Sequence, residues 1–224
     1  MKDYGSTKTI LTETILPKAP EEIIKQIENF RELMMMYNSA IREVTTKLEI
    51  LNDELSLDNR KNPIQFIKSR VKKPNSIINK LKKLDKEINV DSILTSLDDV
   101  AGIRVVCSFI DDVYKIAEML VKQDDIVLII AKDYIKNPKA NGYRSYHLII
   151  EVPVFFSQEK QRVRVEIQIR TSAMDFWASV EHQLKYKKNI ESSKEIEEEL
   201  KGCADVIAKT DLHMMHIRNR IEND

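Results

Sequence analysis

At 224 residues, with 32% charged residues and only four glycines, the chain suits one large domain, or one domain with helical extensions, soluble and rich in helix. Lys+Arg and Asp+Glu each number 36, which excludes a uniformly basic nucleic-acid or membrane-surface protein and leaves any such preference to a local patch. The N-terminus lacks an apolar signal region, and no apolar run approaches the roughly 20 residues that span a bilayer. Two cysteines, Cys107 and Cys203, make neither a disulfide framework nor a metal cluster. A cytoplasmic protein with reduced, buried thiols is expected.

Residues 1–19 end in a Pro17/Pro20 pair and are expected to form a loose arm. From Pro20 the sequence predicts a helix to about Leu55. Ile23, Ile27, Phe30, Met34, Tyr37, Ile41, Val44, Leu48, Leu51 and Leu55 recur at alternating gaps of four and three, a heptad-like stripe. That stripe fits packing on the domain's own sheet; sharing it with a neighbouring subunit is the alternative. Ile64–Arg70 reads as a short strand. A helix then runs from Pro74–Asn75 to about Ile88, with Ile77, Ile78, Leu81 and Leu84 inward. Arg70, Lys72, Lys73, Ser76 and Lys80 gather around the turn between them, where a helix N-terminus favours anions. Phosphate binding and scattered surface lysines both fit.

Asp98 and Asp99 open a strand running to about Phe109, in which Arg104 interrupts an apolar run. A charge there needs a partner or a ligand, because burying it alone is costly. Asp111-Asp112 begins a helix with Val113, Ile116, Ala117 and Leu120 on one side, and Asp125 to Ala131 is another apolar strand. Asn137-Pro138 and Asn141-Gly142 make Lys132 to His147 a loop. Its lysines and tyrosines suit a nucleotide, with cations on phosphate and a ring on the base; a plain hairpin loop is the other reading. The strand Ser145 to Val152 follows.

From Arg162 to Arg170 polar and apolar residues alternate strictly, so Val163, Val165, Ile167 and Ile169 share a buried face. The opposite face carries Arg162, Arg164, Glu166, Gln168 and Arg170: a solvated face with cross-strand ion pairs, or a carboxylate held among guanidiniums beside phosphates. A helix comes next, with Met174, Trp177, Val180 and Leu184 inward. The last helix, about Ser193 to Ile221, carries His213 and His216 as ordinary helix residues.

Four motifs taken together resemble the synthetase domain of the RelA/SpoT family. They are Arg70-Val71-Lys72 with Ser76-Ile77 and Lys80; Asp99-Val100-Ala101-Gly102-Ile103-Arg104; Lys132-Asp133-Tyr134-Ile135 with Pro138 to His147; and Val165-Glu166-Ile167-Gln168-Ile169-Arg170-Thr171 with Trp177-Ala178 and Glu181-His182. The resemblance covers about residues 60–190, and the size is that of the small alarmone synthetases of the RelQ/RelP type. It implies an α+β fold, a mixed sheet of about five strands surrounded by helices (nucleotidyltransferase-like), with long N- and C-terminal helices. The synthetase domain would span 20–190, with 191–224 as a helical extension.

The activity implied is transfer of the β,γ-pyrophosphate of ATP to the ribose 3′-hydroxyl of GTP or GDP, giving (p)ppGpp and AMP. Asp99 and Glu166 would hold Mg²⁺, with Glu166 also the general base. Arg70 and Arg104 would sandwich adenine, while Lys72, Ser76 and Lys80 meet the ATP phosphates. Tyr143 would stack on guanine, and Lys132, Lys139, Asn141, His147 and Gln168 would seat the acceptor. The chain has room for neither the hydrolase nor the regulatory domains of long members, so a synthetase without hydrolase is expected. A homotetramer is implied, with single-stranded RNA as a candidate further partner. Product regulation in some small members involves positions that here carry Phe66, Lys68 and Asp175. Phe66 suits base stacking, whereas Asp175 would repel a polyphosphate. Two rival readings are transfer to an adenine nucleotide or a tRNA 3′ end, and a catalytically silent nucleotide- or RNA-binding oligomer.

Overall fold

In a computed structural model, which describes residues 20–59, 62–187 and 194–223, a forty-residue helix, α1 (Pro20–Asn59), lies across one face of a five-stranded sheet. The expected N-terminal arm lies outside the described residues. In chain order the remaining elements are β1 (Ile64–Val71), α2 (Pro74–Lys83), α3 (Val90–Ser96), β2 (Ala101–Cys107) and α4 (Ile110–Val121). Then come β3 (Val127–Asp133), β4 (Tyr146–Phe155), β5 (Lys160–Thr171), α5 (Ser172–Lys187) and α6 (Lys194–Asn223). The strand order is β1-β2-β5-β4-β3. Only β2 and β5 pair in parallel; the other three pairings are antiparallel. This is the expected α+β fold with a mixed sheet.

One sheet face is apolar. Val163, Val165, Ile167 and Ile169 of β5, Ile103 and Val105 of β2, and Leu148, Ile150 and Val152 of β4 are all buried. They pack beneath Tyr37, Ile41, Val44, Leu48, Leu51 and Leu55 of α1 and Val113, Ile116, Ala117 and Leu120 of α4. Burial of each such side chain contributes about 1.5–3 kcal/mol. The α1 stripe therefore packs on the domain's own core, partly buried at Phe30 and Met34 and buried from Tyr37 onward, while Ile27 near its start is exposed.

Several boundaries differ from the sequence expectation. Helix α2 stops at Lys83 rather than near Ile88, because Asp85 takes a left-handed conformation (φ 52°). Asp85 N–H then donates to the Lys82 carbonyl (3.1 Å) and Lys86 N–H to Leu81 (3.0 Å), a Schellman ending. Leu84 is accordingly exposed rather than inward. The short α3 has too few residues for a periodic signal; the Asn89 side chain caps it, accepting from Ser92 N–H at 2.7 Å. On α5, Met174 and Trp177 are buried, but Val180 and Leu184 are 38% and 55% exposed. Where α6 meets α5, the Trp177 indole donates to the Leu200 carbonyl (3.0 Å), one turn short of Val180. Cys107 is buried as expected and Cys203 is not. Among the described residues no helix is long and apolar enough to cross a membrane.

Candidate active site

The sheet's other face carries the polar residues, and strand register sets them in two adjacent rows. Paired residues of neighbouring strands project to the same side. One row runs Lys68, Arg104, Gln168, His147 and Lys132 across all five strands. The next begins Arg70, Gly102 and Glu166. A Cβ at Gly102 would lie 3.8 Å from the Arg70 carbonyl oxygen, an ordinary contact. The fold itself thus tolerates a side chain there, and glycine leaves the floor between Arg70 and Glu166 bare.

At one end of the rows Asp99 precedes β2. Its carboxylate meets the Lys72 ammonium at 2.5 Å and the Lys80 ammonium at 2.8 Å. Burial pushes Asp99 up, but the two lysines outweigh it and hold the carboxyl below its ordinary range. Ser76 lies on α2 one turn before Lys80. Lys72 and Lys80 thus flank the β1–α2 turn where the sequence placed them, and their contacts with Asp99, which the sequence did not place there, join the start of β2 to that turn. Asp99 Oδ1 is buried and receives no aligned hydrogen bond despite its ion pair with Lys80.

Glu166 sits at the centre of the face. Its Oε1 lies 3.4 Å from His147 Nδ1, and its Oε2 accepts from the Gln168 amide at 3.1 Å. Burial raises Glu166, and the His147 and Gln168 contacts more than reverse that, so it too is held below the ordinary range. Asp99 works against this lowering by repulsion, so the two carboxylates share one field. Both are ionised, hard-oxygen ligands. Among the described residues no group of three or more acidic, His or Cys side chains gathers as a metal site. Two carboxylates suit Mg²⁺, which takes few protein ligands and completes its shell with water and substrate phosphates.

Next comes the loop that joins β3 to β4. Gly142 turns it at φ 88°, and a Cβ there would come within 2.6 Å of Ala204 Cβ on α6. The Arg144 guanidinium donates to the Gly142 carbonyl (3.1 Å), the Ala204 carbonyl (3.3 Å) and Asp205 (3.0 Å). Asn141 braces the loop, accepting from Tyr143 N–H and donating to Glu181, each at 3.2 Å. The Tyr143 hydroxyl is 2.8 Å from His147 Nε2. With Nδ1 facing Glu166, the network assigns the His147 proton to Nδ1 and makes Tyr143 the donor to Nε2. The Lys139 ammonium lies 4.7 Å from the Tyr134 ring and 4.9 Å from the Tyr143 ring. Lys132 stands at the outer end of the row, exposed on the edge strand.

Arg170, Asp175 and Tyr134 join the site without having been singled out as its residues. Arg170 is 3% exposed, on the polar side at the end of β5. Asp175, in the first turn of α5, meets Arg170 at 3.1 Å and Arg104 at 3.2 Å. Its charge is directed to these two guanidiniums rather than to the surface. Arg104 is lowered by burial first, then by repulsion from Arg170, and by that from Arg70; Asp175 opposes both. The signal for Asp175 was an acid near a helix start, which most helices carry for reasons of their dipole. Arg164, by contrast, pairs with Glu151 and Asp98 at 3.1 Å each, the ordinary cross-strand ion pair. Lys68 stacks over its neighbour Phe66 at 4.6 Å.

Residues 69–191 match the family described as the region found in RelA/SpoT proteins. GTP pyrophosphokinase YwaC of Bacillus subtilis is 41% identical over 88% of this chain and 93% of its own length. The crystal structure of small alarmone synthetase 2 from Bacillus subtilis superposes with a TM-score of 0.78 at 40% identity, over 86% of this chain and 99% of that one. Small alarmone synthetase 1 from the same organism, bound to its product pppGpp, also gives 0.78, at 33% identity over 86% of this chain and 97% of that one. In sequence and in fold, this chain belongs to the RelA/SpoT family.

Proposed function

We propose that the protein is a GTP pyrophosphokinase, transferring the β,γ-pyrophosphate of ATP to the ribose 3′-hydroxyl of GTP or GDP. The relatives' names support this: YwaC is called a GTP pyrophosphokinase, and small alarmone synthetase 1 holds pppGpp as product. The observation that carries it is the placement of Glu166, within the field of the ionised Asp99 and in contact with the Tyr143–His147 pair. Arg70 and Arg104 offer planar guanidiniums to the adenine. Lys72, Lys80 and Ser76 face the triphosphate, and the lysines exchange Asp99 for phosphate as ATP enters.

Asp99 and Glu166 would hold Mg²⁺, whose charge offsets that gathering on the phosphates. Tyr143 stacks on guanine, while Lys132, Lys139, Asn141, His147 and Gln168 seat the acceptor. The 3′-oxygen bonds to the β-phosphorus as the bond from that phosphorus to the α–β bridging oxygen breaks. AMP leaves with that electron pair, and the hydroxyl proton passes to Glu166. A carboxylate held below its ordinary pKa is a weak base, so proton transfer accompanies phosphorus–oxygen bonding rather than preceding it. Catalysis here is chiefly positioning and charge neutralisation.

Residues 20–190 act as the synthetase unit and α6 as an extension packed on it. We place the reaction in the cytoplasm, with the protein as a homo-oligomer, a tetramer by family likeness. Exposed Phe176, Val180 and Leu184 on α5 support self-association, and single-stranded RNA remains a candidate partner to assay. The deciding experiment incubates the protein with ATP, Mg²⁺ and, separately, GTP, GDP, GMP, excess ATP or tRNA. Equal yields of AMP and a 3′-pyrophosphorylated guanosine nucleotide are expected with GTP or GDP. Unmodified guanine nucleotides beside transfer to another acceptor would overturn the proposal.

A further inference from the structure

Arg170 is a guanidinium almost wholly removed from water, at the end of a strand whose other side is the core. Burying such a charge is tolerated only when its donors are matched. Its Nε donates to the Ser145 hydroxyl (3.3 Å) and one terminal nitrogen to Asp175 (3.1 Å). The other terminal nitrogen donates to the Tyr143 hydroxyl (2.6 Å) and the Gln168 carbonyl oxygen (2.7 Å). Two of these four partners are the residues assigned above to the acceptor. The Arg170 guanidinium carbon also lies 5.0 Å from the Tyr143 ring centre. That contact and the hydroxyl bond together fix the plane a base would stack on.

Asp175 extends the connection to the donor side. Its Oδ1 meets both Arg170 and Arg104, and Arg104 keeps about a third of its side chain (37%) open to solvent. One carboxylate oxygen therefore bridges a guanidinium that aims the acceptor's tyrosine and a guanidinium that faces the donor's base. Removing its charge leaves the two cations repelling each other, and one terminal nitrogen of Arg170 without its charged acceptor.

We propose that Asp175 and Arg170 are positioning residues forming a strut between the two base-binding subsites, so that each nucleotide meets a stacking partner already aimed. The strut rests on the reading of Arg104 as a donor contact and Tyr143 as an acceptor contact. Neither strut residue touches substrate. Their effect passes through Arg104, Tyr143 and Gln168.

The test is two-substrate kinetics on Asp175→Asn, Asp175→Glu and Arg170→Lys, varying ATP and GTP independently, with thermal melting of each variant. Asp175→Asn is expected to raise both KM values by about tenfold, the scale of one lost charge-assisted hydrogen bond. Asp175→Glu, which keeps the charge, recovers most of both losses. An ammonium cannot reproduce the fork, so Arg170→Lys raises the KM for GTP by a similar factor and that for ATP by less than about twofold. A lower kcat or melting temperature with both KM values unchanged would overturn the strut and leave an ordinary stabilising ion pair. Should Asp175→Asn fail to fold, Arg170→Lys decides alone: a rise confined to GTP supports the strut, and unchanged KM values sink it. Wild-type protein that makes no guanosine product overturns both this proposal and the function beneath it. Wild-type turnover with indifferent variants overturns only the strut.

Discussion

Glu166 is held ionised, because His147 and Gln168 outweigh the burial that would protonate it. In the proposed chemistry Glu166→Gln keeps the shape and loses the proton acceptor. Turnover is expected to fall at least about a thousandfold, toward the upper range of general-base contributions, while titration with a nonhydrolysable ATP analogue still shows binding. The sign of the shift also fixes the pH profile. A lowered pKa leaves the base in its working form above the ordinary carboxylate value of about 4.3, so kcat/KM should stay level on the acid side until the pH drops below that. An acid limb well above that value would take the base role away from Glu166. Tyr143→Ala removes the stacking plane and should raise the acceptor KM by roughly 5- to 150-fold, the equivalent of about 1–3 kcal/mol, with the ATP KM unaltered. A loss confined to ATP would show that the loop serves the donor.

Among the elements, the acceptor loop and α6 are the pair whose dependence is easiest to test. Gly142 is left-handed and pressed against Ala204, with Arg144 bound to both sides of the contact. Gly142→Ala is strained twice, in its backbone angle and against α6. It should raise the acceptor KM by about tenfold, as a stability cost of roughly 1–2 kcal/mol appears at the loop, and far-UV circular dichroism should stay native. This dependence was hidden in the sequence. Asn141-Gly142 announced a turn, but nothing in residues 194–223 says which loop they cover, since an amphipathic helix records a buried face and not its partner. The strands were more legible. The alternation from Arg162 to Arg170 stated which residues of β5 are buried, and Ile64–Val71 formed where Ile64–Arg70 was read. Helix ends were less so: Asp85 closing α2 in place of a glycine carries no compositional mark. Of the site, the residues proposed to face substrate are those the motifs supply. Arg170 had been noted as part of a motif, but its place as hub depends on Ser145 and Tyr143 of the β3–β4 loop converging with Asp175 of α5.

Over the whole molecule, the sheet separates two tasks. Its apolar face is closed by α1 and α4, and its polar face holds chemistry from all five strands. Stability and activity should therefore respond separately to substitution. Leu48→Ala, beneath the sheet at a fully buried site, is expected to cost about 2–5 kcal/mol, lowering the melting temperature by roughly 4–20 °C. Activity per folded molecule at low temperature should stay near wild type. A matched loss of kcat would mean that the core face reaches through to Glu166. The position of β5 has one more consequence. It is the last strand in the chain, yet it lies at the centre of the sheet between β2 and β4. On the ribosome Arg70, Arg104, the lysines and the tyrosine loop are all made before Glu166; β1 can pair with β2 and β3 with β4, but the two pairs are not joined until β5 inserts between β2 and β4. An unfinished chain lacks both the proposed base and the central strand, so activity is expected only once the fold has closed.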